Sequence, residues 1–257
     1  MTQIINLNAD IAEGWGAYDI GNDVELMKII ASASVACGFH AGDPNTMFRL
    51  CALAKEQGVS VGAHPGFNDL WGFGRRRIQM NATDLEYMTA YQIGALQAMA
   101  SYAGLNVTHL KPHGALNNMA AEDADYAMAI GRAIKTVDQN IIYVALCGSE
   151  MEKAAKKLDL RLAREGFPDR MYDDDGNLAS RKIPGTVLRD AKAAGEHALR
   201  MVRDGEVRSM SGKRVKVEVD SLCVHGDERT SVIVARAIRT SLEAAGISVV
   251  PLTEMKL

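Results

Sequence analysis

The chain has 257 residues, 47% hydrophobic and 24% charged, with 29 Lys+Arg against 32 Asp+Glu and a formal net charge of −3. This is the composition of a folded globular protein, and it excludes a disordered chain, a collagen-like repeat and a coiled coil. A slightly acidic balance argues against a duplex-binding surface, so no nucleic-acid partner is expected.

No apolar run approaches the roughly 20 residues that span a bilayer, so no membrane role is expected. The amino-terminal stretch has no basic head and already contains Asp10, so it does not read as a secretion signal. A cytoplasmic location follows as an expectation. Cys37, Cys51, Cys147 and Cys223 form no C-x-x-C pair and read as small buried apolar side chains.

In chain order, short β-type runs alternate with helix-type runs. Strands are predicted over 4–8, 34–38, 59–63, 107–111, 141–146, 161–164, 221–224 and 247–251. Most are short and apolar, as in a parallel sheet buried on both faces. Between them, Thr83-Asp-Leu-Glu86 reads as a capping box opening a helix with Leu85, Met88, Gln92, Leu96 and Met99 at helical spacing. Val234, Ile238 and Leu242 mark a second helix that Gly246 ends. A Gly- and Arg-rich loop lies at 65–80, and a second loop at 167–185 carries the exposed turn Asp173-Asp-Asp-Gly176. A small hairpin insert is expected over 208–219. This alternation favours a single α/β domain over 1–257.

The polar residues gather where strands end. Asn8, Asp10 and Glu13 follow the first strand; His40 and Asp43 the second; His64 and Asp69 the third. His109, Lys111 and His113 run through the fourth, Glu165 follows the sixth, and His225 and Asp227 the seventh. In an α/β barrel all these points share the C-terminal rim, where such folds place catalytic groups. His197 lies inside a predicted helix and reads as a surface or packing residue. On an extended segment His109, Lys111 and His113 share one face, with Pro112 ending the regular strand. From Arg75-Arg76-Arg77, one arginine is expected to clamp a carboxylate or phosphate and the others to be solvated.

Several motifs are absent. No Walker A, dinucleotide-binding fingerprint, Gly-x-Ser-x-Gly elbow or His-Glu-x-x-His occurs in the chain. Asp10, His40, His64 and His113 have the chemistry of a His/carboxylate metal set, but ligands spread over several strands cannot be assigned from spacing, and the metal stays unknown.

Longer segments carry a resemblance. Asn6-Leu-Asn-Ala-Asp-Ile-Ala-Glu13-Gly, Ala36-Cys-Gly-Phe-His-Ala-Gly-Asp-Pro44, Gly62-Ala-His-Pro-Gly-Phe67 with Gly72-Phe-Gly-Arg-Arg76, Lys111-Pro-His-Gly-Ala-Leu116 and Cys223-Val-His-Gly-Asp227 resemble the signatures of the LamB/YcsF family, in order and over nearly the full length. The resemblance implies a distorted (β/α)7 barrel of the glycoside hydrolase/deacetylase type. It implies the A subunit of an ATP-dependent 5-oxoprolinase, a cyclic amide hydrolase that opens 5-oxo-L-proline or a related lactam to L-glutamate with B and C subunits. It places Asp10, Glu13, His40, Asp43, His64, Lys111, His113, His225 and Asp227 in the pocket, and Glu165, Phe167, Asp169 and Arg170 meet the family's acidic-aromatic motif. Ala12 stands where the family usually has Gly, Ser34 where Asn is usual, and Asn117 where Tyr is usual.

The expected chemistry divides in two. The chain shows no ATP motif, so ATP and its activation of the lactam are assigned to the partner subunits. Asp10, Glu13, His40, His64, Lys111, His113, His225 and Asp227 are the catalytic candidates, and Asn8, Asp43, Asp69, Arg75, Arg76 and Glu165 the substrate-binding ones. Asp10 or Glu13 is expected as general base and His113 or His40 as proton donor. The alternative enzyme is a metal-dependent carbohydrate or N-acetyl deacetylase on the same barrel, and the non-enzyme alternative a binding module.

Overall fold

A computed structural model describes residues 3–227 and 229–257. The first elements are β1 (Ile4–Ile11), α1 (Asp23–Met27), β2 (Ser32–Ala36), α2 (Pro44–Gln57), β3 (Ser60–His64), α3 (Ala82–Tyr102) and β4 (Val107–Leu110). There follow α4 (Gly114–Glu122), α5 (Ala124–Asp138), β5 (Ile142–Leu146), α6 (Glu150–Lys157), β6 (Leu162–Gly166) and α7 (Ala191–Leu199). The chain ends with β7 (Glu206–Arg208), β8 (Arg214–Lys216), β9 (Ser221–Val224), α8 (Ser231–Ala244) and β10 (Ser248–Val249).

Strands pair in the order β1-β2-β3-β4-β5-β6-β9, and β9 closes onto β1, so seven parallel strands form a barrel with the helices outside. Register is uneven. β1 and β2 share four paired positions, whereas β4–β5 and β6–β9 share two each, which gives the barrel its distortion. β10 pairs with the start of β1. Beyond it, Leu252 packs against Ile142, Val144 and Ala163, and its N–H reaches Ser32 Oγ at 3.4 Å, so the tail plugs the end of the barrel opposite the rim.

Apart from the apolar plug at Ile142, Val144, Ala163 and Leu252, much of the inside of the barrel is polar. Along β1, Leu7, Ala9 and Ile11 belong to the main hydrophobic core, while Asn6, Asn8 and Asp10 on the alternate phase meet polar partners from other strands. Asn6 donates to Ser32 Oγ at 2.8 Å, Ser32 and Ser60 share a hydrogen bond of 2.8 Å, and Asn8 donates to Ser221 Oγ at 2.8 Å. Buried polar groups mostly need partners, and these girdles supply them for Asn6, Asn8, Ser32 and Ser221.

Several elements differ from expectation. β1 runs on to Ile11 and β2 begins at Ser32, because the polar residues that looked like strand ends are inward-facing strand residues. The cap of α3 is Asn81, whose side chain accepts from Asp84 N–H at 2.8 Å; the helix begins at Ala82, so Thr83 is already inside it. The hairpin starts at Glu206 rather than at 208. The Asp173 turn forms as expected, with Asp173 Oδ1 accepting from Asp175 and Asn177 N–H. His197 is buried, its Nδ1 lying 3.2 Å from the Pro168 carbonyl. Among the described residues no helix is long and apolar enough to cross a membrane.

Candidate active site

A cavity of about 420 Å³ opens at the rim, and Asp10, His64, Lys111, His113, Glu165 and His225 all line it. They come from β1, β3, β6 and the segments following β4 and β9, so residues far apart in sequence meet at one end of the barrel. Arg75, Arg170 and Arg181 form one wall.

Lys111 is the pivot of one half. Its ammonium lies 2.5 Å from Asp10 Oδ1, 2.9 Å from Cys223 Sγ, 3.3 Å from Asn8 Oδ1 and 3.5 Å from Glu165 Oε1. Asn8 in turn donates to Glu165 at 2.9 Å. Burial opposes charge on both members of the pair, but the partners prevail: His64 and Lys111 hold Asp10 well below the usual carboxylate range, and Asp10 holds Lys111 well above its usual value. Glu165 moves the other way: burial raises it despite Lys111 and Asn8, which fits a site that already holds one carboxylate against one ammonium. Beside them, Asp169 Oδ2 accepts from His225 at both its backbone N–H, 3.3 Å, and its Nδ1, 2.7 Å. That bond fixes the imidazole and leaves Nε2 as its other reacting position.

The second half is built of imidazoles. His64 donates Nδ1–H to the Lys111 carbonyl at 2.7 Å, and His113 donates Nε2–H to the Phe73 carbonyl at 2.8 Å. His40 stacks on His113 with centroids 3.7 Å apart and planes 5° off parallel. Glu13 Oε1 lies 3.2 Å from His113 Nδ1 and 3.4 Å from His40 Nε2. Burial lowers His64 and takes His40 down to about 3, so these two rings are neutral; it opposes charge on Glu13, yet the facing His113 and His40 draw that carboxyl well below its ordinary range. Glu13 and His40 stand behind the cavity wall, whereas His64 and His113 form part of it. The loop at 65–80 presses down on this group: a Cβ on Gly74, at φ +61°, would lie 2.7 Å from His40 Cβ and 2.8 Å from His113 Cδ2.

Other expected residues have different places. Asp43 caps α2, accepting from Asn45 and Thr46 N–H, Thr46 Oγ1 and Gly16 N–H, and does not reach the cavity. Asp69 is buried and engaged by Arg76, whose Nε lies 2.9 and 3.1 Å from its two oxygens, so this pair ties the arginine loop together rather than lining the cavity. Of the three consecutive arginines, Arg75 and Arg77 face the cavity. Arg75 pairs with Asp227 at 2.7 Å, and Arg181 approaches the same carboxylate at 4.0 Å. His109 stays inside the barrel against Gly62, where a Cβ would come within 2.2 Å of its ring, so of the triplet only Lys111 and His113 reach the cavity.

Sequence reasoning missed three participants. Cys223 is no inert filler but a partner of the Lys111 ammonium; it shares the inward phase of β9 with Ser221 and His225, which was the available signal. Arg181 comes from the loop at 167–185, where the resemblance marked Phe167, Asp169 and Arg170 but nothing marked Arg181. Phe73 acts through its carbonyl, which no side-chain pattern reveals.

Fold and site together define an α/β-barrel protein with a buried carboxylate, lysine and imidazole centre at the C-terminal rim. The chain belongs to the LamB/YcsF family, whose match covers residues 5–257. It is 52% identical over 248 residues to a 5-oxoprolinase A subunit of Bradyrhizobium diazoefficiens, covering 96% of this chain and 97% of that protein. It is similar to the crystal structure of the lactam utilization protein from Thermus thermophilus, with a TM-score of 0.93 and 43% identity over 97% of this chain and all of that one. The catalytic domain of a peptidoglycan N-acetylglucosamine deacetylase from Eubacterium rectale, covering all of this chain and 91% of that one, shares the fold alone, at a TM-score of 0.55 and 11% identity.

Proposed function

We propose that this chain is the A subunit of an ATP-dependent 5-oxoprolinase, working in the cytoplasm with B and C subunits that bind ATP and activate the lactam. Relatives named as 5-oxoprolinase A subunits, at about half identity over almost the whole length, support a role in lactam metabolism. The observation that carries the reading is the Asp10–Lys111 pair at the cavity floor, flanked by the Asp169–His225 pair and faced by Arg75, Arg170 and Arg181.

Each group answers a requirement of lactam opening. A ring amide is resonance-stabilised, so its carbon must be made electrophilic, water must be delivered to it, and the leaving nitrogen must gain a proton. The arginine wall holds the substrate carboxylate by charge-assisted hydrogen bonds. Lys111 faces the carbonyl oxygen, or a phosphoryl group placed on it, and stabilises the negative charge that develops there. Asp10, kept ionised, takes a proton from the attacking water. Water oxygen bonds to the carbonyl carbon, the ring C–N bond breaks, and His225, doubly protonated with Nδ1–H held on Asp169, gives its Nε2 proton to the departing nitrogen, which becomes the amine of glutamate and leaves His225 a neutral ring. His225 takes the donor part because His113 has committed Nε2–H to the Phe73 carbonyl and His40 lies behind the wall. Proton transfer of this kind contributes about 10²–10⁴-fold in rate.

The test is glutamate formation from 5-oxo-L-proline with ATP, by the purified chain alone and with the B and C subunits. Turnover only in the three-component mixture supports the reading. Equal glutamate formation by B and C without this chain overturns it.

A further inference from the structure

Four side chains at the imidazole side leave their hydrogen bonding unresolved. A neutral imidazole has a single N–H. His64 commits its own to the Lys111 carbonyl through Nδ1, and His113 commits its own to the Phe73 carbonyl through Nε2. Each ring is thereby fixed in the tautomer whose other nitrogen carries a bare lone pair. Those two nitrogens, His64 Nε2 and His113 Nδ1, face each other at 3.1 Å. Glu13 Oε1, 3.2 Å from His113 Nδ1, receives no aligned hydrogen bond, and neither ring nitrogen of His40 has a hydrogen-bond partner. Electron pairs aimed at one another at so buried a point repel. A positive centre between them turns the repulsion into attraction.

We propose that Glu13, His64 and His113, with His40 as a weaker fourth donor, form a binding site for one divalent transition-metal ion of the zinc type. The four donor atoms lie within 4.8 Å of one another. Tetrahedral bonds of ~2.0–2.1 Å place donors about 3.3 Å apart. The separations here, 3.1 Å for His113–His64, 3.2 Å for His113–Glu13, 3.4 Å for His40–Glu13 and 4.0 Å for His64–Glu13, span that value.

Three imidazoles and one carboxylate suit zinc, cobalt or nickel and not calcium or magnesium, which take oxygen. Both principal imidazoles already give their far N–H to a backbone carbonyl, the orientation a metal-bound histidine needs. The carboxylate is Glu13 and not Asp10, because Asp10 Oδ1 is taken by Lys111 at 2.5 Å. His40 ranks last, since stacking flat on His113 tilts its lone pair away from a shared centre. The proposal shares residues with the site described above but rests on no particular substrate.

The full chain, stripped with a chelator, is titrated with Zn²⁺ by calorimetry and with Co²⁺ by visible absorption. One ion per chain is expected, with the absorption of a four-coordinate Co²⁺. His64→Ala and His113→Ala should each weaken binding more than about 100-fold and His40→Ala about 10-fold, with Asp10→Asn changing it least. Should variants fold poorly, the unmodified chain decides alone: long-range ¹H–¹⁵N spectra should show His64 Nε2 and His113 Nδ1 as unprotonated and shifted by Zn²⁺. Absence of stoichiometric binding, or an imidazolium proton between these rings that neither ion displaces, overturns the proposal.

Discussion

Around Lys111, one ammonium satisfies Asp10, Asn8, Cys223 and Glu165 together; around His113, by contrast, two rings and a carboxylate point at one another with their protons committed elsewhere. The two clusters share one rim and lie next to each other, His64 Nε2 being 3.4 Å from Asp10 Oδ1. Their difference is one of completeness. The lysine side is a closed set of charges that imposes a fixed field on whatever enters the cavity. The imidazole side is an open set of donors, complete only with a cation. A rim built this way holds substrate with one half and keeps the other half rigid behind it.

The largest effect should come from opening the closed half. Lys111→Met keeps the length of the side chain but strands Asp10 and Glu165 as uncompensated buried carboxylates. Such a loss costs about 3–5 kcal/mol, to be read by urea unfolding, and activity should fall below detection. Next, Asp169→Asn exchanges the charged acceptor of His225 Nδ1–H for a neutral amide that no longer stabilises a proton on the far nitrogen of the ring. The expected result is a fall in turnover of about 10²-fold or more with the thermal midpoint nearly unchanged. A proportional loss of stability instead would mark Asp169 as a packing residue.

Two smaller effects probe the turn that carries Glu13 into the open half. Asp23 Oδ2 accepts from Ala12 N–H at 3.0 Å, and burial raises its carboxyl from an ordinary 3.8 to about 7. The folded state therefore binds the proton more tightly than the unfolded one. Its destabilisation is absent below pH ~4, grows through about pH 7 and is full above that. Asp23→Asn keeps an acceptor and cannot ionise, so it should gain of order 2 kcal/mol over the natural chain at pH 8 and lose that advantage at pH 4, by unfolding at both pH values. Ala12 itself sits at φ +63°, in the left-handed region where glycine is at ease. Ala12→Gly should stabilise by ~1 kcal/mol or somewhat less, seen as a small upward shift of the thermal midpoint.

The barrel and its rim were legible because strand ends carried His, Asp and Lys beside glycines in a regular α/β rhythm. Strand limits were less so: Asn8 and Asp10 read as the end of β1, yet the barrel interior around them is hydrogen-bonded rather than oily, and they belong to its inward phase. Asp43 carries a legible signal of another kind, since Asp followed by Pro and Thr is the pattern of a helix start, and the structure makes it the cap of α2. The Asp69–Arg76 tie and the Asp169–His225 pair were beyond reach of spacing, the first depending on how a loop folds back and the second on closure of β6 beside β9. The hydrogen-bond commitments of His64 and His113 depend on two backbone carbonyls, and only coordinates reveal those.

The most direct test of the account is turnover of 5-oxo-L-proline by the complex of B and C subunits with the Asp10→Asn chain, its folding checked by circular dichroism. Glutamate formation should drop to the level of B and C alone while the variant still assembles with them. Turnover within a few-fold of the natural chain would contradict the placement of the reaction at the Asp10–Lys111 pair.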